Sequence, residues 1–227
     1  MNKDLIYSDQ QSLFGSKEII GFGSSDWYVK EIDRNTANDI IVKNHYSKKY
    51  FNNSLIHLGV FISGNLLGVL QYGHLLNNLS AKNIVKGSES GQFLELNRMW
   101  LDDKAERNSE TKAISYSLRY IRSKFPKIKW VQSFADERCG CFGIVYQAAS
   151  FSYYGEHIAT FYTDGKQFFH NIQVTASREK AGTQARDKKL LKKVQLRQFR
   201  YIKFIDKRWK KKCLLTEQPY PKHYNND

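Results

Sequence analysis

Apolar residues recur along this chain with two periods, and the switch from one to the other marks the elements. Trp27 to Ile32 alternates as a strand does, whereas Ala37, Ile40, Ile41 and His45 return at helical spacing behind the capping run Arg34-Asn35-Thr36. The polar run Ser47-Lys48-Lys49 ends that helix. His57 to Ile62 and Leu66 to His74 are β-rich runs split by Ser63-Gly64-Asn65, which predicts an antiparallel hairpin closed by a tight turn. A loop of Asn, Ser and Gly covers 77–91. Phe93 to Leu101 predicts a central strand, and Ser109 to Lys124 a helix with Ile114, Leu118 and Ile121 inward and Pro126 as its stop. Lys129 to Ala135 predicts a buried strand, Gly143 to Ala149 a short helix, and His157 to Tyr162 and Gln167 to Val174 two further strands.

The resulting order, β-α-β-β-β-α-β-α-β-β, predicts an α/β protein with a mixed sheet and helices on its faces. Residues 1–25 hold Gly15, Gly21, Gly23 and several serines without a sustained period, and read as an extended arm. The expected organisation is an arm over 1–25, a domain over 26–175 and an extension over 176–227 packed on that domain. A chain of 227 residues suits one core with an appendage.

Charge adds a partner to this outline. Hydrophobic residues at 41% and charged residues at 26% are ordinary globular values and exclude disorder throughout, but the net charge is +14. Between Arg178 and Lys212 lie 15 Lys or Arg against three acids, so the basic character belongs to one segment. Apolar residues interleave with it, and Arg197 to Phe204 alternates like a strand, which points to a structured polyanion-binding surface and to nucleic acid as the leading partner. The candidate phosphate contacts are Lys188, Lys189, Lys192, Lys193, Arg197, Arg200, Lys203, Arg208, Lys210 and Lys211. A solubilising tail is the plainer alternative, and an anionic membrane surface ranks third. Three cysteines, two of them at Cys139 and Cys141, make a poor disulfide framework and suit a reducing compartment. With no signal peptide and no apolar run of spanning length, a cytoplasmic location is expected and no membrane.

Several residues carry candidate chemistry. Asp136 follows a buried strand, at the end where ligands of α/β sheets collect; capping the next helix is its structural alternative. His45 at a helix end suits a base or a metal ligand, with a structural role as the alternative, and Tyr46 beside it suits a ligand or a donor. Asn97 and Arg98 sit in an apolar strand, where charge is costly to bury. Arg98 there suits a carboxylate or phosphate, unless Glu95 or Asp102 pairs with it. Cys139-Gly-Cys141 lacks zinc-site spacing.

Four motifs in order carry a resemblance: Asn44-His45-Tyr46-Ser47-Lys48, Glu95-Leu96-Asn97-Arg98-Met99-Trp100, Phe134-Ala135-Asp136 and Tyr146-Gln147-Ala148. With Asp206-Lys207-Arg208-Trp209 and Pro219-Tyr220-Pro221-Lys222 closing the match, residues from about 27 to 222 resemble the Mom family of phage DNA modification proteins, and the element order resembles the acetyltransferase superfamily related to Gcn5 (GNAT). The resemblance implies a GNAT-like, mostly antiparallel sheet with a catalytic domain over 26–175. It implies transfer of a carbamoylmethyl (acetamido) group to N6 of adenine in double-stranded DNA, protecting phage DNA from host restriction. Adenine N6 lies paired inside the duplex, so such chemistry requires the base to flip out. The resemblance also implies iron, with His45, Tyr46, Asp136 and Tyr146 as a hard N/O ligand set, and a proton-donating role for Tyr146. The stretch Asp103 to Thr111, where acetyltransferases carry a glycine-rich pyrophosphate loop, contains no glycine. Arg107, Asn108 and Ser109 hold the cofactor-facing positions there, acidic neighbours oppose a pyrophosphate, and acetyl-CoA is not the expected donor. Two other functions fit parts of the pattern: a coenzyme A-dependent N-acetyltransferase acting on a protein or small amine, and a non-catalytic DNA-binding module.

Overall fold

The computed structural model describes residues 4–11, 17–140, 142–170, 174 and 190–222. In chain order the elements are β1 (Leu5–Gln11), β2 (Lys17–Gly23), β3 (Trp27–Glu31), α1 (Arg34–Asn44), β4 (Ser54–Ile62), β5 (Asn65–Gly73), α2 (Ala81–Ile84), β6 (Phe93–Leu101), α3 (Ser109–Lys124), β7 (Trp130–Asp136), α4 (Ile144–Ala148), β8 (Ser152–Thr163), β9 (Phe168–His170) and β10 (Lys192–Phe204). The strands form one sheet in the order β1-β2-β3-β4-β5-β6-β7-β10-β8-β9. Neighbours are antiparallel except β6 and β7, which are parallel and joined across one face by α3.

From β3 to β9 the predicted strands and helices recur in order, but the expected loop over 77–91 holds the short helix α2. Ser63 and Gly64 form the two-residue turn between β4 and β5, both with positive φ, as a hairpin matching strand twist requires. The cap of α1 is Asp33 rather than the run after it: its carboxylate accepts from the Thr36 amide at 2.9 Å and the Thr36 hydroxyl at 2.6 Å. β8 starts five residues before the predicted strand, and β9 is described over Phe168–His170, residues 171–173 of the predicted strand lying outside the described residues.

Two segments differ from the sequence expectation. Residues 5–11 and 17–23, expected as an arm, are strands, and Phe22 is 2% exposed beneath Tyr116 and Arg119 of α3. Gly21, which suggested flexibility, serves close packing, since a Cβ there would meet the Val29 carbonyl oxygen at 2.4 Å. The basic segment, expected as an extension packed on the domain, supplies β10, an interior strand between β7 and β8. Alternation made it a strand, but its partners in β8 and β7 lie about 30–50 and about 60–75 residues away in sequence, and local pattern carries no such pairing.

The two sheet faces are covered unequally. On one, α3 buries Ala113, Ile114, Leu118 and Ile121 against Leu58, Leu70, Leu96 and Val131, with α4 beside it. On the other, α1 sets Ala37 and Ile41 on Val69 over β4–β6, while Trp209, Cys213 and Leu215 pack over Phe93, Trp130, Ile202 and Phe204. Next to these two apolar patches runs a polar strip from Asn97 and Glu95 across Gln132 to Arg200. β6 and β7 pair only from Phe93/Trp130 to Glu95/Gln132, although β6 stays with β5 to Leu101 and β7 with β10 to Asp136. Beyond that point the two strands diverge into a fork, spanned by Ser133 Oγ donating to the Leu96 carbonyl at 3.2 Å.

Candidate active site

Asp136 ends β7 at the tip of the fork and is 5% exposed. Its carboxylate caps the 3-10 turn Glu137–Cys139 through the Arg138 amide and accepts the Arg138 guanidinium at both oxygens, Nε lying 2.9 Å from each. The capping alternative is therefore realised, at the C-terminal end of the buried strand. The same Asp-x-Arg turn recurs at Asp206 and Arg208, where Arg208 is 88% exposed, whereas Arg138 is 17% exposed. One local device thus serves as a surface cap in one place and as a desolvated ion pair in the other.

Arg138 was not a sequence candidate, and it organises the site. Its guanidinium lies over Phe161 at 4.4 Å, Tyr46 at 5.5 Å and Phe168 at 5.6 Å from the ring centroids. Tyr46 and Phe168 are exposed, so they form a rim of aromatic surface beside a buried carboxylate. Sequence did offer a signal: an arginine two residues after an N-capping aspartate can fold back on it.

His45 closes α1, its amide donating to Ile41. Its Nδ1 lies 3.1 Å from the Ser47 amide and 2.8 Å from the Ser47 hydroxyl. An amide can only donate, so Nδ1 carries no proton and the neutral ring presents N–H at Nε2. Burial, with Arg98, Arg138 and Lys48 nearby, pushes the imidazole down to about 3, so His45 is neutral at physiological pH. In this state it is a hydrogen-bond donor rather than a base.

Asn97 is fastened on three sides. It accepts from Ser54 Oγ at 3.3 Å and donates to the His74 carbonyl and to Glu95. A Cβ on Gly73 would meet its Oδ1 at 2.6 Å, so the glycine makes room for this amide. Glu95 also accepts from Gln132 at 2.7 Å, and burial raises its carboxyl above the usual range. Arg98 pairs with neither Glu95 nor Asp102: Nε donates to the Lys49 carbonyl at 2.9 Å and Nη1 to its neighbour's carbonyl, Asn97 O, at 2.7 Å. Tyr146 stands on the α3 side, its ring against Phe151 and Tyr201.

The expected iron ligands do not fit a metal as arranged. Arg138 occupies both Asp136 oxygens, Ser47 occupies His45 Nδ1, and the Tyr146 ring packs on the face opposite Asp136. Among the described residues no three His, Cys, Asp or Glu side chains gather as a metal cluster. Of the cofactor-facing positions, Arg107 and Asn108 are exposed, Asn108 is left-handed with φ 68°, and the Ser109 amide already donates to the Glu106 carbonyl.

The expected phosphate contacts divide. Arg197 pairs with Glu137 at 2.9 Å, Arg200 donates to Gln132 at 2.7 Å under Phe134, and Lys203 donates to the carbonyls of Ala149 and Ser150. Those three belong to the sheet and its loops. Lys192, Lys193, Arg208, Lys210 and Lys211 are exposed, although Lys210 contacts Glu217. Lys188 and Lys189 lie outside the described residues. No helix among the described residues is long and apolar enough to cross a membrane.

Comparison with known proteins adds to this geometry. The Mom protein family matches residues 26–222. The methylcarbamoylase Mom of Escherichia phage Mu is 44% identical over 211 residues, covering 90% of this chain and 88% of that protein. Among solved structures, Arabidopsis thaliana NAA60 in complex with acetyl-CoA aligns with a TM-score of 0.50 at 12% identity, over 78% of this chain and 98% of that one. The ribosomal-protein-S5-alanine acetyltransferase of Vibrio fischeri aligns with a TM-score of 0.50 at 11% identity, over 84% and 98%. Identities this low establish a shared acetyltransferase fold and no more.

Proposed function

Since the chain belongs to the Mom protein family, we propose that it is a DNA-modifying transferase that adds a carbamoylmethyl group to N6 of adenine in double-stranded DNA and so protects phage DNA from host restriction. The observation that carries this reading is the buried Asp136 carboxylate, held by Arg138 at the tip of the fork and rimmed by Tyr46 and Phe168. A purine extruded from the duplex has aromatic surface to stack on there, which offsets an unpairing cost of about a few kcal/mol.

Adenine N6 is a weak nucleophile because its lone pair is delocalised into the ring. One Asp136 oxygen exchanges an Arg138 contact for a hydrogen bond from N6 and draws its proton as the N6–C bond forms and the acetamido carbon parts from its leaving group. His45, neutral and bearing its proton on Nε2, supplies a donor for charge developing on the transferred group.

Exposed cations bracket this site along β10. Gln198 lies opposite Asp136; Lys192 is six residues away in one direction, and the basic turn Lys207–Lys212 begins nine residues away in the other. At roughly 3.3 Å per residue, each end lies on the order of 20–30 Å from the fork, so a duplex laid along the strand contacts both. The shared fold alone favours a coenzyme A-dependent acetyltransferase, but the glycine-free Asp103–Thr111 loop and the committed Ser109 amide oppose a pyrophosphate there.

The test is to express the chain, digest plasmid DNA to nucleosides and weigh them by mass spectrometry. Adenine heavier by one acetamido group is expected, and is expected to vanish with Asp136→Asn. Unmodified DNA from an active expression strain, together with unchanged duplex binding by Asp136→Asn, would leave only the binding module; micromolar acetyl-CoA binding by calorimetry would favour the acetyltransferase.

A further inference from the structure

The Arg98 guanidinium stands half-buried in the fork without a hydrogen-bonded carboxylate. The nearby acids are committed elsewhere: Asp136 to Arg138, and Glu95 to Gln132 and Asn97. Arg98 itself spends Nε on the Lys49 carbonyl and Nη1 on the Asn97 carbonyl, and its edge approaches Phe51 at 5.8 Å. Those contacts fix the plane of the fork donors without neutralising the charge. Tyr46, Glu95 and Asp136 lie close enough to favour that charge and Arg138 to oppose it, but neither acid is hydrogen-bonded to the guanidinium, and Lys48 adds to the positive field around His45. Retaining a desolvated cation beside another cation is costly, and a fold has no structural reason to keep it when a neutral side chain could bond the same carbonyls.

We propose that Arg98 is the centre of an oxyanion-binding subsite in the β6/β7 fork, taking a carboxylate or phosphate group of a reacting molecule bidentately. A planar fork of N–H donors matches either group, and a bound anion supplies the hydrogen-bonded counter-charge that no protein carboxylate gives it. The source is either a phosphate of the extruded nucleotide or an acid group on the donor of the acetamido unit; the subsite rests on the proposed reaction only for that choice.

Calorimetric titration of the full chain with inorganic phosphate, and separately with acetate, tests the subsite without DNA or turnover. Wild type is expected to bind at least one of them with one-to-one stoichiometry, Arg98→Gln to lose at least tenfold, and Arg98→Lys to fall between, while Lys82→Gln/Lys127→Gln, at exposed positions away from the fork and from β10, keeps the wild-type value. Urea melts of the same variants report folding: because no protein carboxylate is lost, Arg98→Gln is expected to melt at or above the wild-type midpoint. Equal anion binding by wild type and Arg98→Gln, or no binding of either anion by wild type, overturns the proposal, as does a large fall in the Arg98→Lys midpoint. Duplexes with a single neutral methylphosphonate beside the target adenine then separate the sources. Weaker binding by wild type but not by Arg98→Gln assigns the anion to DNA, and an unchanged difference assigns it to the donor. DNA that remains unmodified while Arg98-dependent anion binding persists would count against the proposed reaction and leave the subsite intact.

Discussion

At the scale of single residues the site is governed by which side chains can ionise and which are already engaged. His45 is the clearest case. Its folded value of about 3 lies below the 6.5 of the free side chain, so the unfolded chain takes up a proton first as pH falls. Stability from this residue is therefore full above about 6.5 and is lost as pH drops toward 3, amounting to roughly 3 kcal/mol between pH 7 and pH 4. Urea melts at those two pH values should show that loss in wild type and a smaller one in His45→Asn; parallel losses would refute the burial argument. Arg138 acts in the opposite sense to Arg98, because it neutralises a buried acid. Arg138→Ala strands the Asp136 carboxylate and is expected to cost about 3 kcal/mol or more in the same assay, with modification of DNA abolished. A variant as stable as wild type would mean that water replaces the guanidinium.

At the scale of elements, the first two strands and the last long one decide how the site is framed. Phe22 of β2 is buried under α3, and Lys124 at the end of α3 reaches both Glu18 of β2 and Glu31 of β3. Phe22→Ala should cost about 3–5 kcal/mol in thermal or urea melts, the value for a core aromatic; a near-neutral result would restore the view of 1–25 as an arm. The α4 side offers a second check. Gly143 has φ +79°, and a Cβ there would meet Tyr201 at 2.6 Å and Tyr146 at 3.0 Å. Gly143→Ala is expected to lower both stability and DNA modification, by pushing Tyr146 and β10 apart, and unchanged modification would separate Tyr146 from the chemistry. Arg200 and Lys203 follow from the same framing. An interior strand turns alternate residues toward each face, so two of the expected phosphate contacts became partners of Gln132 and of the carbonyls after α4.

At the scale of the whole molecule, the described cations of the basic segment are distributed along β10 and the turn that follows it. If the duplex spans both ends, neutralising Lys192 and Lys193 should lower the slope of log affinity against log salt by roughly 2, and Lys207 with Lys211 by a similar amount. Duplex titrations at several salt concentrations read both slopes. A change at one end alone would confine the DNA to that end, and none at either would remove β10 from the interface.

Local pattern determined much of this protein: alternation and helical spacing located the elements from β3 to β8 other than α2, the Ser63-Gly64 turn, the inward face of α3, and the acid at the end of β7. These depend on neighbours in sequence, which share a face because the backbone repeats. Order among the motifs was likewise enough to reach the family. Tertiary structure alone decided that β10 lies between β7 and β8, that β6 and β7 part after three paired residues, and that Arg138 holds Asp136 while Arg98 donates to carbonyls. Each of these sets residues far apart in sequence into one low-dielectric space, where charge, burial and partner are settled together, and no local period records which distant group arrives.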